Sequence, residues 1–407
     1  MLLTARRVAT RLAAAAAAAS LLPAGIALAT AGPAQAAARH AQAASGSPAN
    51  NRAAFTVRQI LSGKRLHHSF RVAGSGKVHS APLTQPDDIT QAGRYLFTGF
   101  QNGVGPQGET APGGNRDSTI VEFTRGGHVV RQWDVRGKCD GLTADPARHR
   151  VIATVNEDAH SSVYTIDPWA SHGRQLRHYA YSEPLPSKGG TDAISVFHGM
   201  VLISASAPGT TGTAAPQPGY PAVYQVTFHP RRLIARIRPL FYDEARATVV
   251  NSGQRARVRL ALTDPDSNEV VPASAVRFAG DFMLTSQGDK EQIFVRHPAR
   301  RRPSLSVLRL SQSVDDTAWA TSMGGRIYTT DNGAGTVDVI TGRFTPGTVF
   351  VAVTPCDADG APAVCPGPGF PANYLGSLNP WTGHITRVPV RGVVPHPQGM
   401  LFAAPGR

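Results

Sequence analysis

A short stretch of sequence recurs along the chain and constrains the fold more than any other feature. Each copy begins with an acidic residue, continues through small or apolar residues, and reaches an apolar or β-branched run after a gap. The acids that begin the five copies are Asp88, Asp140, Asp192, Asp266 and Asp316. Their spacings are 52, 52, 74 and 50 residues. A repeat of this length that contains only strands predicts units that pack side by side.

The composition favours short strands joined by turns. The 407 residues include 41 glycines and 32 prolines, and helix-period apolar patterns are scarce beyond the N-terminal segment. Strand units repeated at this period are typical of the blades of a β-propeller. With a sixth copy that begins at Gln398, the sequence predicts an all-β fold with a single six-bladed β-propeller. Seven blades are the alternative.

Both ends of the chain are expected to close the ring. No strand follows the last copy, so strands from residues 54–82 are predicted to complete its blade and to remove open sheet edges. An extra hairpin within residues 246–263 explains the spacing of 74 residues. The fifth blade is predicted from residue 316 to about 395, with the strand at Arg326, Ile327 and Tyr328 directly after Asp316 in the same blade.

The N-terminus has the pattern of an export signal. Arg6, Arg7 and Arg11 precede an alanine- and leucine-rich stretch, and Ala34-Gln35-Ala36 has the form of a cleavage site. The sequence therefore predicts a secretory signal peptide over residues 1–36, a disordered low-complexity leader over 37–52, and the propeller domain over 53–407. The mature protein is predicted to be secreted and extracellular, with no transmembrane segment after signal cleavage.

Several motifs resemble those of secreted bacterial propellers. The strand that ends in Asp167-Pro168, and the Asn-Pro-Trp-Thr-Gly segment at 379–383, resemble YVTN-type repeats, and residues 122–127 resemble an NHL-type repeat. Residues 139–145 are similar to a segment of gluconolactonase-like propellers in which an acid binds the catalytic divalent metal, and Asp140 matches that acid. The resemblance implies a six-bladed ring and lactone hydrolysis by a metal-bound group. The chain lacks that family's glutamate-bearing first-strand motif and its Ser-Asn-Gly segment.

The five acids that begin the copies are the candidate site. The inner strands of a propeller start near the mouth of its central channel, so these carboxylates are expected to converge there. Oxygen ligands suit a hard cation, and Ca²⁺ is the candidate. The alternative is local, because an aspartate before a strand also caps a turn through its own backbone.

The chain has three cysteines. Cys356 and Cys365 lie nine residues apart in a Pro- and Gly-rich stretch, and in an exported protein this spacing predicts a disulfide. A metal pair is the alternative. Cys139 is left over beside Asp140 and is expected to be buried near the channel.

The net charge of +14 favours an anionic partner, and a composition bias towards arginine is the alternative explanation. The basic residues are scattered and not interleaved with aromatic residues, so nucleic acid is not a predicted partner.

The first hypothesis is a non-catalytic binding or scaffold propeller that holds an unknown ligand at the central channel mouth, with the loops at 101–117 and 208–221. The alternatives are a metal-dependent, lactonase-like hydrolase and an envelope-associated protein that binds anionic cell-wall polymer. Whether the chain is an enzyme stays open.

Overall fold

The computed structural model describes residues 54–186, 189–206, 219–253, 256–356 and 372–405. The predicted signal peptide, the predicted leader and most of the loop at 208–221 lie outside these ranges. Among the residues that are described, no helix is long and apolar enough to cross a membrane.

The chain begins with one long strand and a hairpin. These strands are β1 (Phe55–Ser62), β2 (His67–Arg71) and β3 (Val78–Pro82), with a 3₁₀ turn at Gly63–Arg65 after β1. Only β2 and β3 pair with each other, in a separate two-stranded sheet. Part of the segment that was predicted to complete the last blade therefore forms a hairpin of its own.

Three groups of four antiparallel strands follow in chain order. The first group contains β4 (Pro86–Ala92), β5 (Tyr95–Phe100), β6 (Asp117–Thr124) and β7 (Val129–Arg136). The second contains β8 (Cys139–Asp145), β9 (Arg150–Val155), β10 (Ser162–Ile166) and β11 (Leu176–Tyr181), with a 3₁₀ turn at Pro146–Arg148. The third contains β12 (Ile194–Phe197), β13 (Met200–Ser204), β14 (Pro221–His229) and β15 (Ile234–Tyr242). A short parallel pairing of β11 with β15 joins the second and third groups.

The fourth group carries the extra hairpin that the sequence predicts. Its strands are β16 (Arg246–Val249), β17 (Arg257–Arg259), β18 (Pro265–Val270), β19 (Phe282–Ser286), β20 (Glu291–Arg296) and β21 (Ser304–Arg309). The hairpin of β16 and β17 extends the sheet because β16 pairs in parallel with the outer strand β21. This prediction is confirmed.

The last two groups exchange strands. Their strands are β22 (Val314–Trp319), β23 (Arg326–Asp331), β24 (Thr336–Gly342), β25 (Val349–Val353), β26 (Tyr374–Leu378), β27 (Ile385–Arg387), β28 (Val390–Gly392) and β29 (Met400–Ala403). The fifth group has the order β22-β25-β26-β27, and the sixth has the order β29-β23-β24-β1-β28.

This exchange corrects one prediction. The strand at Arg326–Asp331 does not follow β22 in the fifth group but pairs with the C-terminal strand β29. The partner of β22 is β25. The N-terminal strand β1 pairs with β24, so strands from both ends of the chain complete one sheet, as predicted.

The inner strands of the groups form a closed ring. They are β4, β8, β12, β18, β22 and β29, and each contacts the next, with β29 contacting β4. The second strands are buried on both faces between neighbouring groups, which explains near-continuous apolar runs such as Leu96–Phe97 in β5. The outer strand β7 alternates instead, with Trp133 and Val135 buried between exposed residues. The prediction of a β-propeller is confirmed.

Candidate functional site

A β-bulge recurs at the start of the inner strands. The pairing register shifts between Pro86 and Ile89 in β4, and the same shift occurs at the equivalent places in β8, β18 and β22. Each bulge leaves two residues outside the regular ladder, and such a bulge changes the direction in which the side chains point. The first residue of each of these pairs is acidic: Asp87, Asp140, Asp266 and Asp315.

The two remaining inner strands begin in the same way. Asp192 lies two residues before Ile194 in β12, and Gln398 lies two residues before Met400 in β29. The equivalent position is thus occupied by the following residues, which we call the acidic ring: Asp87, Asp140, Asp192, Asp266, Asp315 and Gln398. All six line the same central cavity.

The acidic ring differs from the predicted set at two members. Asp140, Asp192 and Asp266 occupy the expected positions, but Asp87 and Asp315 stand where the sequence predicted Asp88 and Asp316. The bulge explains this difference, because both members of each acid pair precede the same strand and only the pairing register tells them apart. Asp88 and Asp316 line the cavity as well.

Asp88 and Asp316 connect neighbouring inner strands. Asp88 Oδ1 accepts a hydrogen bond from the Ile89 backbone at 2.6 Å, and Oδ2 accepts one from the Leu142 backbone in β8 at 2.7 Å. Asp316 does the same with Thr317 and with Met400 in β29, at 2.6 Å each. The local capping role that the sequence offered as an alternative therefore applies to these two residues.

The cavity has a volume of about 600 Å³. This size lies in the range of pockets for small organic ligands, roughly 300–1,000 Å³. Ten of the 27 acidic residues of the chain line it, namely Asp87, Asp88, Asp140, Glu157, Asp192, Asp264, Asp266, Glu269, Asp315 and Asp316. The cavity is therefore strongly acidic although the chain as a whole is basic.

Three polar residues outside the inner strands organise one side of the acidic ring. Gln101 follows β5 and donates from Nε2 to Asp87 Oδ2 and to Asp140 Oδ1, at 2.9 Å each. Lys138 Nζ lies 2.9 Å from Asp140 Oδ1 and also forms an ion pair with Glu157. Burial opposes the charge of Lys138, but these carboxylates more than offset it and raise the pKa of the ammonium group. Lys138 is the only lysine or arginine among the described residues that line the cavity.

The next two positions of the acidic ring hold a pair of carboxyl groups. Asp192 and Asp266 share a side-chain hydrogen bond that favours the protonated form of Asp266 and the ionised form of Asp192. Burial raises the pKa of both groups well above the usual range, and neighbouring carboxylates raise both further. The two carboxyl groups thus share one proton, as close acids do when both cannot ionise together.

The pKa values of Asp140, Asp87 and Asp316 are also shifted upward. Burial, together with Glu157, raises the pKa of Asp140 well above its usual range against the effect of Lys138. Burial raises the pKa of Asp87 and of Asp316 to about 7. Protons or external cations must therefore compensate part of the negative charge of this cavity at neutral pH.

The buried oxygens of the lining that have no hydrogen-bond partner include two on side chains that are more than nine-tenths buried. Asp140 is 3 % exposed and Asn268 is 8 % exposed, and in each side chain one oxygen, Asp140 Oδ2 and Asn268 Oδ1, is unsatisfied. The other end of the Asn268 amide donates to the Ala193 carbonyl at 2.6 Å, which fixes its orientation. A buried acceptor without a partner is costly, so both oxygens call for a donor or a cation.

The oxygen atoms of the cavity lining are of the kind that binds a hard cation, but the side chains that carry them are not arranged as a metal site. Carboxylate and amide oxygens are the ligands that Ca²⁺ prefers. Within the described ranges, however, no group of three or more His, Cys, Asp or Glu side chains is arranged to hold a metal ion. The five carboxylates of the acidic ring lie on five different inner strands, and β29 contributes Gln398 instead.

The sequence assigned no individual role to Gln101, Lys138 or Glu157, although Gln101 begins the loop at 101–117 that was predicted to take part in ligand binding. A signal existed for two of them, since Gln101 is the first polar residue after the apolar strand β5 and Lys138 directly precedes Cys139-Asp140.

Cys139 is a buried free thiol, as expected, and burial raises its pKa. Cys365 lies outside the described residues, so the disulfide with Cys356 stays a prediction.

Comparisons with known proteins assign no activity to the chain. No family model matches it, and no curated protein matches its sequence. Solved structures similar to it include a periplasmic gluconolactonase of Pseudomonas aeruginosa, with 14% identity, a TM-score of 0.43, and coverage of 86% of this chain and 99% of that one. A putative 6-phosphogluconolactonase of Bacteroides fragilis has 12% identity, a TM-score of 0.43, and coverage of 88% and 100%. The Cps50 β-propeller domain of Myceliophteria thermophila has 11% identity, a TM-score of 0.36, and coverage of 82% and 96%.

Proposed function

We propose that the chain is a non-catalytic binding propeller whose central cavity accepts a cationic ligand. The observation that carries the proposal is the acidic ring, in which five of six equivalent positions hold aspartate around one cavity. Close carboxylates repel one another in a low-dielectric site, and a bound cation would relieve this repulsion.

Binding should be coupled to proton release. The pKa of Asp87 is raised to about 7, and burial raises those of Asp192 and Asp266 well above the usual range, so protons occupy part of the ring at neutral pH. A cation favours the ionised carboxylates and displaces these protons. Affinity for a cation should therefore increase as the pH rises from 5 to 8.

Thermal unfolding with a panel of probes tests the proposal. We expect Ca²⁺, Mg²⁺ or spermidine to raise the melting temperature at pH 7.5, and gluconate and glucose to leave it unchanged. A ligand at a hundredfold excess over Kd stabilises the native state by about 2.7 kcal/mol. The matched variants are Asp192→Asn in the ring and Asp167→Asn in a peripheral turn. The proposal fails if no cation shifts the transition, or if the shift is the same in both variants.

The second candidate is the metal-dependent lactonase. It rests on the match of Asp140 to the metal-binding acid of gluconolactonase-like propellers and on the unsatisfied Asp140 Oδ2. We derive no catalytic step, because the described acids do not converge on a point. Hydrolysis of glucono-1,5-lactone, followed by pH-stat, would support this candidate if it required Ca²⁺ and was lost in Asp140→Asn.

Secretion stays a proposal that rests on the N-terminal sequence pattern. Binding of anionic cell-wall polymer is a separate proposal. Its support is the position of the acids, because a cavity that contains ten of the 27 acidic residues leaves the exterior more basic than the net charge of +14 suggests. Retention of the protein on cells that is released by salt would support an anionic polymer as the partner.

A further inference from the structure

We infer that the ligand of the central cavity is a linear alkyl polyammonium ion, a member of the polyamine class, and not a metal ion. The inference rests on the proposed cation-binding function and specifies its ligand. It depends on four features of the lining: how the acids are distributed, how Lys138 is bound, which acceptors are left over, and which apolar side chains lie beside the acids.

The distribution of the acids around the cavity suits a ligand with several separate cationic groups. The acidic ring places one side chain on each inner strand around a cavity of about 600 Å³. A metal ion needs several oxygens within one coordination sphere, and no three acidic, histidine or cysteine side chains of the described residues are arranged in that way. Ammonium groups separated by methylene chains could contact several members of the ring at the same time.

Lys138 shows how an alkylammonium group is held here. Its Nζ lies between Asp140 and Glu157, and its side chain is only 16% exposed. The ammonium is a donor without acceptor capacity, so it suits a wall that presents carboxylate oxygens. The ring thus already binds one primary ammonium, supplied by the chain itself, on one side of the cavity.

Two leftover acceptors belong to residues of the cavity lining. Asp140 Oδ2 and Asn268 Oδ1 are buried and have no partner, and both residues line the cavity. An ammonium group carries three N–H donors and can satisfy such oxygens directly.

Apolar side chains of the cavity lining suit the methylene segments of a polyamine. The cavity is lined between and beside its acids by Ile89, Leu142, Ala193, Ile194 and Met400. The methylene segments of a polyamine could bury against these residues, which offer nothing to a hydrated metal ion.

Isothermal titration calorimetry of the protein with spermidine, n-butylamine and Ca²⁺ tests the inference at pH 7.5. We expect spermidine to bind with one-to-one stoichiometry and n-butylamine to bind at least about tenfold more weakly, because it lacks the further charged contacts. The double variant Asp192→Asn/Asp266→Asn should weaken spermidine binding by about tenfold or more. The control is Asp167→Asn, at a turn where Asp167 accepts from Trp169 and Ala170. Asn379 has the same role in the equivalent turn, so asparagine fits there.

A second variant, Lys138→Met, is expected to strengthen spermidine binding. A folding defect would weaken binding, so it could not produce this result. Lys138→Met removes the internal ammonium while keeping a long apolar stem, which frees Asp140 and Glu157 for the ligand. We expect spermidine affinity to increase by about threefold or more, since a charge-assisted contact becomes available.

The outcomes separate the inference from the function on which it rests. Binding of Ca²⁺ but not spermidine would overturn the polyamine assignment and leave the cation site in place. Binding of neither would overturn both. Spermidine binding that is unchanged in both the double variant and Lys138→Met would overturn the assignment to this cavity, and equal affinity for n-butylamine would overturn the requirement for several charges.

Discussion

Asp88 and Leu142 join the first two inner strands of the ring: the carboxylate Oδ2 accepts the Leu142 backbone N–H at 2.7 Å. The pair Asp316 and Met400 repeats this contact between the fifth and sixth inner strands at 2.6 Å. Each aspartate also caps its own strand through Oδ1. The acids at this position therefore connect neighbouring inner strands, while the acids one residue earlier belong to the acidic ring.

Loss of the Asp88 carboxylate should weaken this contact between blades. We expect Asp88→Ala to lower the free energy of unfolding by about 1–3 kcal/mol, because the buried Leu142 N–H loses its acceptor. Urea unfolding followed by circular dichroism measures the change. The exposed Glu183 provides the control, and Glu183→Ala should change stability by less than about 0.5 kcal/mol. Equal effects of the two variants would contradict the assigned role of Asp88.

Gly141 occupies the position in β8 that Asp88 occupies in β4, and the next inner strand approaches it closely. A Cβ at this position would overlap with the backbone carbonyl of Asp192 and with Thr154 Oγ1. We expect Gly141→Ala to destabilise the protein by about 2 kcal/mol or more through overpacking. Gly126 is the matched control, since the nearest atom to its Cβ would be 3.8 Å away. A Gly141→Ala variant as stable as Gly126→Ala would show that the strands can separate at little cost.

Stability should fall as the pH rises from about 4 to 7 in the absence of a cation. The pKa of Asp87 and of Asp316 is about 7 in the folded protein, above the value of 3.8 for a free side chain. Between these values the folded state binds more protons than the unfolded state, so raising the pH favours unfolding. Urea midpoints at pH 5 and pH 8 measure the effect. A higher midpoint at pH 8 than at pH 5 would contradict it.

Asp266→Asn tests the origin of this pH dependence. Asparagine cannot ionise and can still donate a hydrogen bond to Asp192, so the variant should be more stable than the natural protein at pH 8 and similar to it at pH 5. The peripheral variant Asp167→Asn should show no such difference between the two pH values. Destabilisation of Asp266→Asn at pH 8 would argue against a shared proton in the Asp192–Asp266 pair.

The closure of the sixth blade depends on β1. Val57 is 2 % exposed and packs in a cluster with Ile327, Ile340 and Met400, whereas its neighbour Arg58 is exposed. We expect Val57→Asp to cost at least about 3 kcal/mol, because it buries an unpaired charge. Arg58→Asp should be nearly neutral. If both substitutions were tolerated, β1 would not be an integral strand of the sheet in solution.

The sequence predicted the propeller because the repeat depends on local patterning. It could not predict the exchange of strands between the last two blades, since the apolar run of β23 fits β22 and β29 equally well and only tertiary packing decides between them. The predicted site was nearly complete, because Asp140, Asp192 and Asp266 lie in the acidic ring. Asp88 and Asp316 were assigned to it in place of their neighbours because a bulge changes register without leaving a sequence signal. Lys138 and Gln101 were missed because their role depends on where adjacent loops place them.

The exchanged connection also sets the order in which the molecule can be assembled. During synthesis the first four blades can form as their own strands emerge, but β23 and β24 are made well before β29, their partner at the inner edge. The sixth sheet needs a strand from each end of the chain, separated by more than 300 residues, so its contacts are among the most non-local in the protein. We therefore expect ring closure to be a late step of folding, and until it occurs β23 has an open sheet edge that can pair with another chain.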